Sequence, residues 1–346
     1  MKNGKVTMQD IADALGITKN TVSRALTGKQ GVSKQTEKII RQKAEELGYK
    51  YSRNTASKNQ PAFPIKNIAL IASDYVFSLK NFFGEIYLSI EKELKARDIN
   101  FYTESINHEA IENFVMPSVL NNHDIDGLLI LSHINTDYTQ KVIELGIPTV
   151  LIDHHEPLLK SDSVLTNNRL GAYEAVEHLI SLGHREIGFI GNVDYSPSYR
   201  ERLEGYELAL KRYNLNVKKE FVYTNVFETI ENLHAFINGL DNLPTAFFCA
   251  NDQLGFLTTY SLQLQSLAVP DDVSVISFDN GHMSQVAVPK ISSVDIDLKY
   301  FGKKAVEQLC WRIGNKNEPI QEILLPTKLI MRESTAHASK QNAKVQ

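Results

Sequence analysis

The apolar residues of the first fifty positions recur at the spacing of short amphipathic helices. Ile11 and Leu15 share one helical face, and Thr7 precedes that face as a side-chain oxygen suited to capping a helix. Gly16 follows it and is suited to a left-handed turn, after which Thr18 caps a second helix. These signals predict two short helices separated by a tight turn.

The second predicted helix carries its apolar and polar residues on opposite sides. Val22, Ala25 and Leu26 face inward, and the outward positions hold hydroxyls, an amide and two cations: Lys19, Asn20, Thr21, Ser23 and Arg24. Such side chains can read base edges and hold phosphates. A third helix is predicted from Ser33 to Gly48, and the expected core of the three helices is Ile11, Leu15, Val22, Leu26, Ile40 and Leu47. A solvated helical hairpin without a ligand is the alternative.

From Ile65 onward, short β-rich runs alternate with amphipathic helical segments. Most runs, such as NIALIAS, DGLLILS and TAFFCAN, are almost continuously apolar, and the last, EILLPTKLIMR, is predicted as a single strand. Continuously apolar strands that alternate with helices are typical of parallel sheets covered on both faces. About eleven strands are too many for one open sheet. The pattern therefore predicts two α/β lobes.

Charge separates the head from the body of the chain. Residues 1–60 hold twelve Lys or Arg against five Asp or Glu, whereas the remainder holds 25 basic and 36 acidic residues. A basic head on an acidic body indicates that only the head meets a polyanion. Residues 49–64 lose the apolar period and contain two prolines, which predicts a linker.

The composition of the 346 residues, 42% hydrophobic and 23% charged, is ordinary for a globular protein. We see neither an apolar run of about 18 residues nor a signal peptide, and therefore expect a cytoplasmic protein that makes no membrane contact. Cys249 and Cys310 are expected to be reduced and buried. No phosphate loop, dinucleotide fingerprint or nucleophile elbow is present, and His154–Glu156 lacks metal-ligand spacing, so we expect no cofactor, no metal and no catalytic residue.

Polar side chains follow many of the predicted strands, among them Ser73, Ser132, Asp153, Asn251 and Asp279. Ligands of parallel sheets bind beyond the carboxyl ends of the strands and between lobes. Arg202 lies on a following helix, and Phe82 is an aromatic side chain nearby in sequence. Planar polar groups with stacking rings suit a neutral, hydroxyl-rich ligand such as a sugar. For any single residue, capping of a loop is an equally good interpretation.

The stretches VTMQDIADALGITKNTVSRAL and GVSKQTEKIIRQKAEELGY resemble the head of the lactose/galactose repressor (LacI/GalR) family. In the body, LGHREIGFIG, RLEGYELAL, PTAFFCANDQLGF and VSVISFDN occur in that family's order, so the resemblance spans roughly residues 6–332. It implies a helix-turn-helix head, a periplasmic-binding-protein-like core of two doubly wound lobes joined by three crossovers, a symmetric dimer, and DNA affinity set by a small effector.

Position by position, the resemblance implies specific contacts. Base contacts would come from Lys19, Asn20 and Arg24, and phosphate contacts from Thr7, Thr21, Ser23, Ser33 and Thr36. Effector contacts would come from Ser73, Asp153, Arg202, Asn251 and Asp279, with Phe82 as a candidate from its position alone.

The chain departs from the family at the hinge, where Tyr51, Arg53 and Lys58 are the candidate residues. Many members carry a Pro-Asn pair where Tyr51 and Ser52 stand here, and a minor-groove leucine where Lys58 stands. A lysine contacts phosphate but does not unstack a base step as an apolar wedge does. We therefore expect weaker operator bending than in relatives that carry the wedge.

The expected protein is a transcriptional regulator, a repressor in its simplest form. Its homodimer would bind near-palindromic double-stranded operator DNA under the control of a carbohydrate-like effector, and tetramers are not expected because the tail lacks leucine heptads. A sugar-binding transport receptor, or an enzyme using Asp153 and Asp279 as an acid–base pair, would share the core. The expected division is head 1–48, hinge 49–64, core 65–335 and flexible tail 336–346. Lobe 1 would comprise about 65–165 and 292–322, and lobe 2 about 166–291 and 323–335.

Overall fold

The computed structural model describes residues 6–27, 32–47, 49, 65–74, 76, 82–132, 134–154, 156, 158–194 and 196–338. The chain divides into two compact units, Met1–Ala62 and Phe63–Gln346. The hinge candidates Tyr51, Arg53 and Lys58 lie outside the described residues.

The head contains the three predicted helices, α1 Met8–Leu15, α2 Lys19–Thr27 and α3 Lys34–Glu46. Thr7 and Asp10 form a reciprocal capping box at α1: the Asp10 amide donates to Oγ1 of Thr7 at 3.4 Å, and the Thr7 amide donates to the Asp10 carboxylate at 2.7 Å. Gly16 ends α1 with φ at 64°, in the left-handed region that glycine tolerates best.

A small apolar cluster holds the three head helices together. Ile11, Val22, Leu26 and Ile40 are fully buried in it, and Leu15 and Leu47 are partly buried against it. Ile39, next to the buried Ile40 on α3, lies outside this cluster and is 52% exposed. Arg41 ties α3 to α2, since its Nη2 donates to the carbonyl oxygen of Ala25 at 3.2 Å.

The described part of the core unit contains two six-stranded sheets with helices packed on them. The helices are α4 Phe83–Lys95, α5 His108–Glu112, α6 Ser118–Asn122, α7 Thr136–Ile143, α8 Asn168–Ser181, α9 Pro197–Arg212, α10 Ile230–Asn238, α11 Asp252–Leu264, α12 His282–Val286 and α13 Leu298–Gly314. The strands are β1 Asn67–Ser73, β2 Asn100–Ile106, β3 Gly127–Leu131, β4 Thr149–Ile152, β5 Asp162–Thr166, β6 Ile187–Ile190, β7 Val222–Tyr223, β8 Ala246–Cys249, β9 Ser274–Asp279, β10 Ser292–Ile296, β11 Glu322–Leu325 and β12 Thr327–Ile330.

Each sheet forms one lobe. The sheet of lobe 1 is entirely parallel in the order β11-β5-β4-β3-β1-β2, and the sheet of lobe 2 has the order β12-β10-β9-β8-β6-β7 with only β12 antiparallel. Strands such as β3 and β4 are buried along their whole length, as expected for a sheet covered on both faces. The predicted fold class of two doubly wound α/β lobes is confirmed.

The expected lobe boundaries were wrong in the C-terminal part of the chain. Residues 292–296, assigned to lobe 1, form β10, which pairs with β9 and β12 in lobe 2. Residues 323–325, assigned to lobe 2, belong to β11, which pairs with β5 in lobe 1. The chain therefore crosses between the lobes after β5, after β10 and after β11. The boundaries were wrong because strand pairing decides which lobe a strand joins, and the order of elements along the chain does not show that pairing.

Pro326 divides the last predicted strand into two. It lies between β11 and β12, which belong to different sheets. A proline has no amide hydrogen to donate to a sheet and fixes φ, so it suits the point where the chain leaves one sheet for the other.

The beginning of the predicted flexible tail is bound to lobe 2. The Ala336 amide donates to Oγ of Ser274 at 3.1 Å, and the Ala338 amide donates to the carbonyl oxygen of Leu182 at 3.0 Å. His184 is buried beside the tail, with Nε2 3.0 Å from the carbonyl oxygen of Ala336. The expectation that 336–338 are flexible was therefore wrong, and 339–346 lie outside the described residues.

Lobe 1 contains a buried ion pair between β5 and α13. Both oxygens of Asp162 accept hydrogen bonds from Arg312, at 2.7 and 2.9 Å, and further bonds come from Gln308 and from the Gln321 amide. The other N–H groups of Arg312 donate to the carbonyl oxygens of Asn315, Glu318 and Pro319. Every donor of this guanidinium is thus used within lobe 1.

Among the described residues, none of the helices is long and apolar enough to span a membrane. Nor do the described His, Cys, Asp and Glu side chains form a group of three that could hold a metal ion. Cys249 is buried, which raises the pKa of its thiol to about 12, whereas Cys310 is only partly buried. Both thiols are free.

Candidate functional site

The exposed face of α2 carries the predicted base-reading residues. Lys19, Asn20 and Arg24 are exposed, while Val22 and Ala25 on the opposite side are buried in the head core. The Thr21 amide donates to Oγ1 of Thr18 at 3.1 Å, which caps the helix as predicted. A rigid helix with one apolar side docked on its neighbours can present the other side to a groove.

The predicted phosphate-contacting hydroxyls lie mostly at helix N-termini. Thr7 caps α1 and Ser33 caps α3, where the Thr36 amide donates to Oγ of Ser33 at 3.1 Å. Thr21 is in the first turn of α2, and Ser23 is half-buried on the same helix. Helix N-termini carry partial positive charge and favour anions, so these positions suit DNA phosphates. The assignment of individual contacts stays a prediction.

Two of the predicted effector residues of the core, Asp153 and Asp279, interact across the two lobes. Asp153 follows β4 of lobe 1, and Asp279 ends β9 of lobe 2. The charge of Asp153 raises the pKa of Asp279, so the two carboxyls are close enough to interact across the lobes. Both residues have positive φ, 53° and 100°, a conformation that costs energy for a side chain other than glycine. Such strain is common at ligand sites.

Arg202 is the buried centre of this site, with only 4% of its side chain exposed. Its Nε donates to Oδ1 of Asn168 at 2.9 Å, its Nη1 donates to the carbonyl oxygen of Ala250 at 2.5 Å, and the same Nη1 lies 3.0 Å from Oδ1 of Asp279. The guanidinium also stacks 3.8 Å above the ring of Phe278.

Close packing of α9 against α8 brings Arg202 to Asn168. A Cβ atom at Gly205 would lie only 2.3 Å from the carbonyl oxygen of Arg169, so any larger residue would push the two helices apart. Gly205 is one turn after Arg202 on α9, and the requirement for glycine there fixes how deeply the arginine is buried.

Burial raises the pKa of Asp279 to about 7, although the guanidinium of Arg202 lowers it. The charges of Asp252 and Asp153 raise it further. Asp252 itself is well bonded, since its carboxylate accepts hydrogen bonds from Ser277, Ser293 and the Gly281 amide. Asp279 therefore has less hydrogen-bond compensation than Asp252.

Asn251 belongs to a second hydrogen-bonded group in lobe 2, which includes residues not expected from the sequence. Its Oδ1 caps α11 by accepting from the Leu254 amide at 2.7 Å, and its Nδ2 donates to Tyr199 and to Oε1 of Glu228. Tyr199 donates to the same Oε1 at 3.3 Å, and its ring lies 5.5 Å from the guanidinium of Arg202.

Tyr199 and Glu228 were missed for different reasons. Tyr199 precedes Arg202 by three residues on α9, so helical spacing alone could have placed both on one face. Glu228 lies in a loop after the two-residue strand β7, where no periodicity exists to place its side chain. Burial raises the pKa of Glu228 as well.

Ser73 and Phe82 are not joined to this group by any contact among the described residues. Ser73 ends β1 and is partly buried, and Phe82 precedes α4, with its ring packed edge-on against Phe83 at 5.0 Å. Both lie in lobe 1. Their role as effector contacts stays a prediction.

Comparison with known proteins agrees with both parts of the chain. Residues 7–52 match the model of bacterial regulatory proteins of the lacI family, and residues 176–335 match that of a periplasmic binding protein-like domain. The chain resembles the LacI family in its head and over its whole length. The protein is a DNA-binding transcriptional regulator with a two-lobed ligand-binding core, and the resemblance found from the sequence is confirmed.

Similar proteins cover nearly the whole chain. The HTH-type transcriptional regulator DegA of Bacillus subtilis is 28% identical over 96% of this chain and 98% of its own. The HTH-type transcriptional repressor PurR of Actinobacillus pleuropneumoniae is 28% identical over 96% of this chain and 99% of its own. A solved complex of the transcriptional regulator CelR with cellobiose has a TM-score of 0.69 at 26% identity and covers 95% of this chain and 99% of CelR.

Proposed function

We propose that this regulator is a repressor whose operator affinity is controlled by a small effector, most simply a carbohydrate, bound between the two lobes. The observation that carries the proposal is the buried Arg202, whose Nη1 lies 3.0 Å from Oδ1 of Asp279. Asp153 belongs to the other lobe, and its charge raises the pKa of the same Asp279 carboxyl. A ligand bound there would touch both lobes and change how they close. CelR, a relative of similar fold, binds cellobiose.

The head is proposed to read DNA through the exposed face of α2. The replacement Arg24→Ala is expected to weaken binding to the specific operator by about 1–3 kcal/mol and to leave binding to random DNA almost unchanged, because a lost base contact affects only the correct sequence. Titration of both DNAs at one salt concentration measures this. Lys38→Ala, which removes an exposed cation from α3, is the control for charge alone. Equal losses on both DNAs for R24A would assign Arg24 to phosphate contact.

We propose that the protein binds as a homodimer through lobe 2. Tyr260 and Leu264 on α11 and Met283 and Val286 on α12 are exposed, and α11 packs on α12. Val288 is exposed beside them, since its carbonyl oxygen accepts from Gln263 on α11 at 2.6 Å. An apolar group of this size on one side of a lobe suits a two-fold interface.

Sedimentation of the full chain tests this interface. Leu264→Asp is expected to produce monomers that bind a single half-site weakly, because a charge would be buried at the interface. Leu208→Asp changes an equally exposed leucine on α9 and is expected to leave a dimer. If L264D stays dimeric, another surface forms the interface.

The effector role of the cleft is tested by operator release. We expect Arg202→Met and Asp279→Asn to bind the operator normally but to lose the response to a sugar, because both residues contact the ligand and not DNA. Arg200→Met, an exposed arginine on the same helix, is the control. An unchanged sugar response in both cleft variants would remove these residues from the effector site.

We further propose that the protein acts by binding and not by catalysis, and that it does so in the cytoplasm.

A further inference from the structure

Asn168 on α8 is a buried partner of Arg202. Its side chain accepts a hydrogen bond from Nε of Arg202 at 2.9 Å through Oδ1, and it donates from Nδ2 to Oε2 of Glu201 at 3.1 Å. Because a guanidinium only donates and an ionised carboxylate only accepts, these two neighbours fix which way the amide of Asn168 points. The acceptor that Arg202 meets is therefore held in one orientation by α9 itself.

Asn168 also lies at the first crossover between the lobes. The strand β5 of lobe 1 ends at Thr166, and Asn168 begins α8 of lobe 2, so a single residue, Asn167, separates them. The Asn167 amide donates to the carbonyl oxygen of Leu325 at 3.0 Å, which joins this crossover to the one that follows β11. The side chain that binds Arg202 thus belongs to the segment that must bend when the lobes change their angle.

The first turn of α8 packs on the support of Arg202 as well. A Cβ atom at Gly171 would lie 2.8 Å from Oγ1 of Thr327 and 2.9 Å from the ring of Phe278. Thr327 is the first residue of β12, beyond the third crossover, and Phe278 is the ring on which the guanidinium of Arg202 stacks at 3.8 Å. Packing this close leaves the start of α8 little room to stay still when its neighbours move.

We propose that Asn168 is a positioning residue of the effector site, which holds Arg202 beside Asp279 and transmits a movement of Arg202 to the first and third crossovers. The proposal rests on the proposed effector role of the cleft. Asn168 need not touch the effector, because it acts through Arg202. A ligand that draws the guanidinium toward itself would pull on the amide of Asn168 and so on the start of α8.

The titration of Asp279 reports the position of Arg202 without any ligand. Burial raises the pKa of Asp279 to about 7, and the guanidinium of Arg202 lowers it. The difference in melting temperature between the full-length protein and its Asp279→Asn variant changes with pH up to this folded-state pKa and is constant above it. With Asn168→Ala in both proteins, this upper limit is expected to rise by at least about 0.5 pH, because an unanchored guanidinium stabilises the charged carboxylate less.

Asn167→Ala is the matched control for the pH measurement. It removes the acceptor that caps α8, where the Leu170 amide donates to Oδ1 at 3.3 Å, but keeps the backbone bond to Leu325. It should lower the melting temperature and leave the pH limit in place. Asn168→Ser, whose side chain is too short to reach Nε, should move the limit as far as alanine does and serves if the alanine variant does not fold. An unmoved limit in a folded Asn168 variant would overturn the positioning role.

Operator release tests the transmission. Operator affinity would be measured with and without saturating cellobiose, glucose or ribose, and sugar binding by calorimetry. In Asn168→Ala the ratio of the two operator affinities should fall to less than about one third of the wild-type ratio, while sugar binding weakens no more than about threefold. Asn167→Ala should keep the wild-type ratio.

The outcomes separate this inference from the proposed function. An unchanged ratio in Asn168→Ala would overturn the transmission, while a moved pH limit would still support the positioning of Arg202. If no sugar alters the operator affinity of the unmodified protein, the carbohydrate effector role and the transmission are both overturned. The pH limit, which needs no ligand, then decides the positioning role by itself.

Discussion

Two buried arginine–aspartate pairs, one in each lobe, differ in how completely the protein satisfies them. In lobe 1, Asp162 accepts two hydrogen bonds from Arg312 and two more from Gln308 and the Gln321 amide. In lobe 2, Asp279 has a single ion pair with Arg202, and its side chain is 23% exposed. The first pair is complete without a ligand, whereas the second leaves acceptor atoms unused.

The difference separates a structural ion pair from the pair that we propose to bind the effector. A buried carboxylate is tolerated when its hydrogen bonds and charge are fully compensated, as at Asp162. At Asp279 the compensation is partial, and burial raises its pKa to about 7. A group that costs energy in the free protein can recover that energy when a ligand with the right donors arrives.

The largest expected effect is in lobe 1. Asp162→Ala should reduce the free energy of unfolding by about 3–5 kcal/mol, because it leaves the buried guanidinium of Arg312 without its counter-charge. Urea unfolding of the full chain measures this, with the exposed Glu322→Gln on β11 as the control. A loss below about 1 kcal/mol would show that the buried Asp162–Arg312 pair contributes no more than a surface salt bridge.

Removal of the arginine in lobe 2 should cost less stability. Arg202→Met is expected to lower the free energy of unfolding by about 1–3 kcal/mol, the cost of leaving its hydrogen-bonded partners unsatisfied. Asp279, with a pKa already near neutral, can take up a proton and avoid an isolated buried charge. Arg312→Met in lobe 1 is the matched comparison. Equal losses in the two variants would mean that the two ion pairs contribute alike to stability.

The pH dependence of stability should also differ between the pairs. The pKa of Asp279 is 3.8 in the unfolded chain and about 7 in the folded chain, so the folded protein holds this proton more tightly. The stability that the bound proton contributes is therefore present at low pH and is lost as the pH rises through these values. We expect Asp279→Asn to flatten the fall in melting temperature between about pH 5 and pH 8. Asp162→Asn, the matched variant, removes a compensated carboxylate. If Asp279→Asn leaves the pH dependence of the melting temperature unchanged, the titration belongs to another group, for example Glu228.

An exposed pair in the head should have the smallest effect. Arg41 and Glu37 on α3 form an ion pair at 2.6 Å, but each side chain is about one-third exposed. Glu37→Gln is expected to change the free energy of unfolding by about 0.5 kcal/mol or less, because water and salt screen such pairs. Unfolding at low and high salt measures the difference. If Glu37→Gln lowered the free energy of unfolding as much as Asp162→Ala, burial would not explain why the two ion pairs differ in energy.

The local elements of the fold could be predicted from the sequence because their causes are local. Thr7, Thr18 and Ser33 cap helices within three residues of themselves, and Gly16 adopts the left-handed turn that its lack of a side chain permits. Apolar periodicity likewise placed most of the strands. In the site, Asp153, Arg202, Asn251 and Asp279 were expected from family resemblance and from their positions after strands or on a helix, and the structure brings them together.

What only the tertiary structure decided depends on contacts between residues far apart in the chain. β10 belongs to lobe 2 because it pairs with β9, and β11 belongs to lobe 1 because it pairs with β5. The position of Pro326 between two sheets follows from these pairings. Glu228 enters the site only because its loop meets Asn251 and Tyr199, 23 and 29 residues away. The raised pKa of Asp279 depends on burial and on charges from both lobes. The sequence by itself determined a groove-reading head on a two-lobed core, whereas folding decided which buried carboxylates have a full set of hydrogen bonds and which do not.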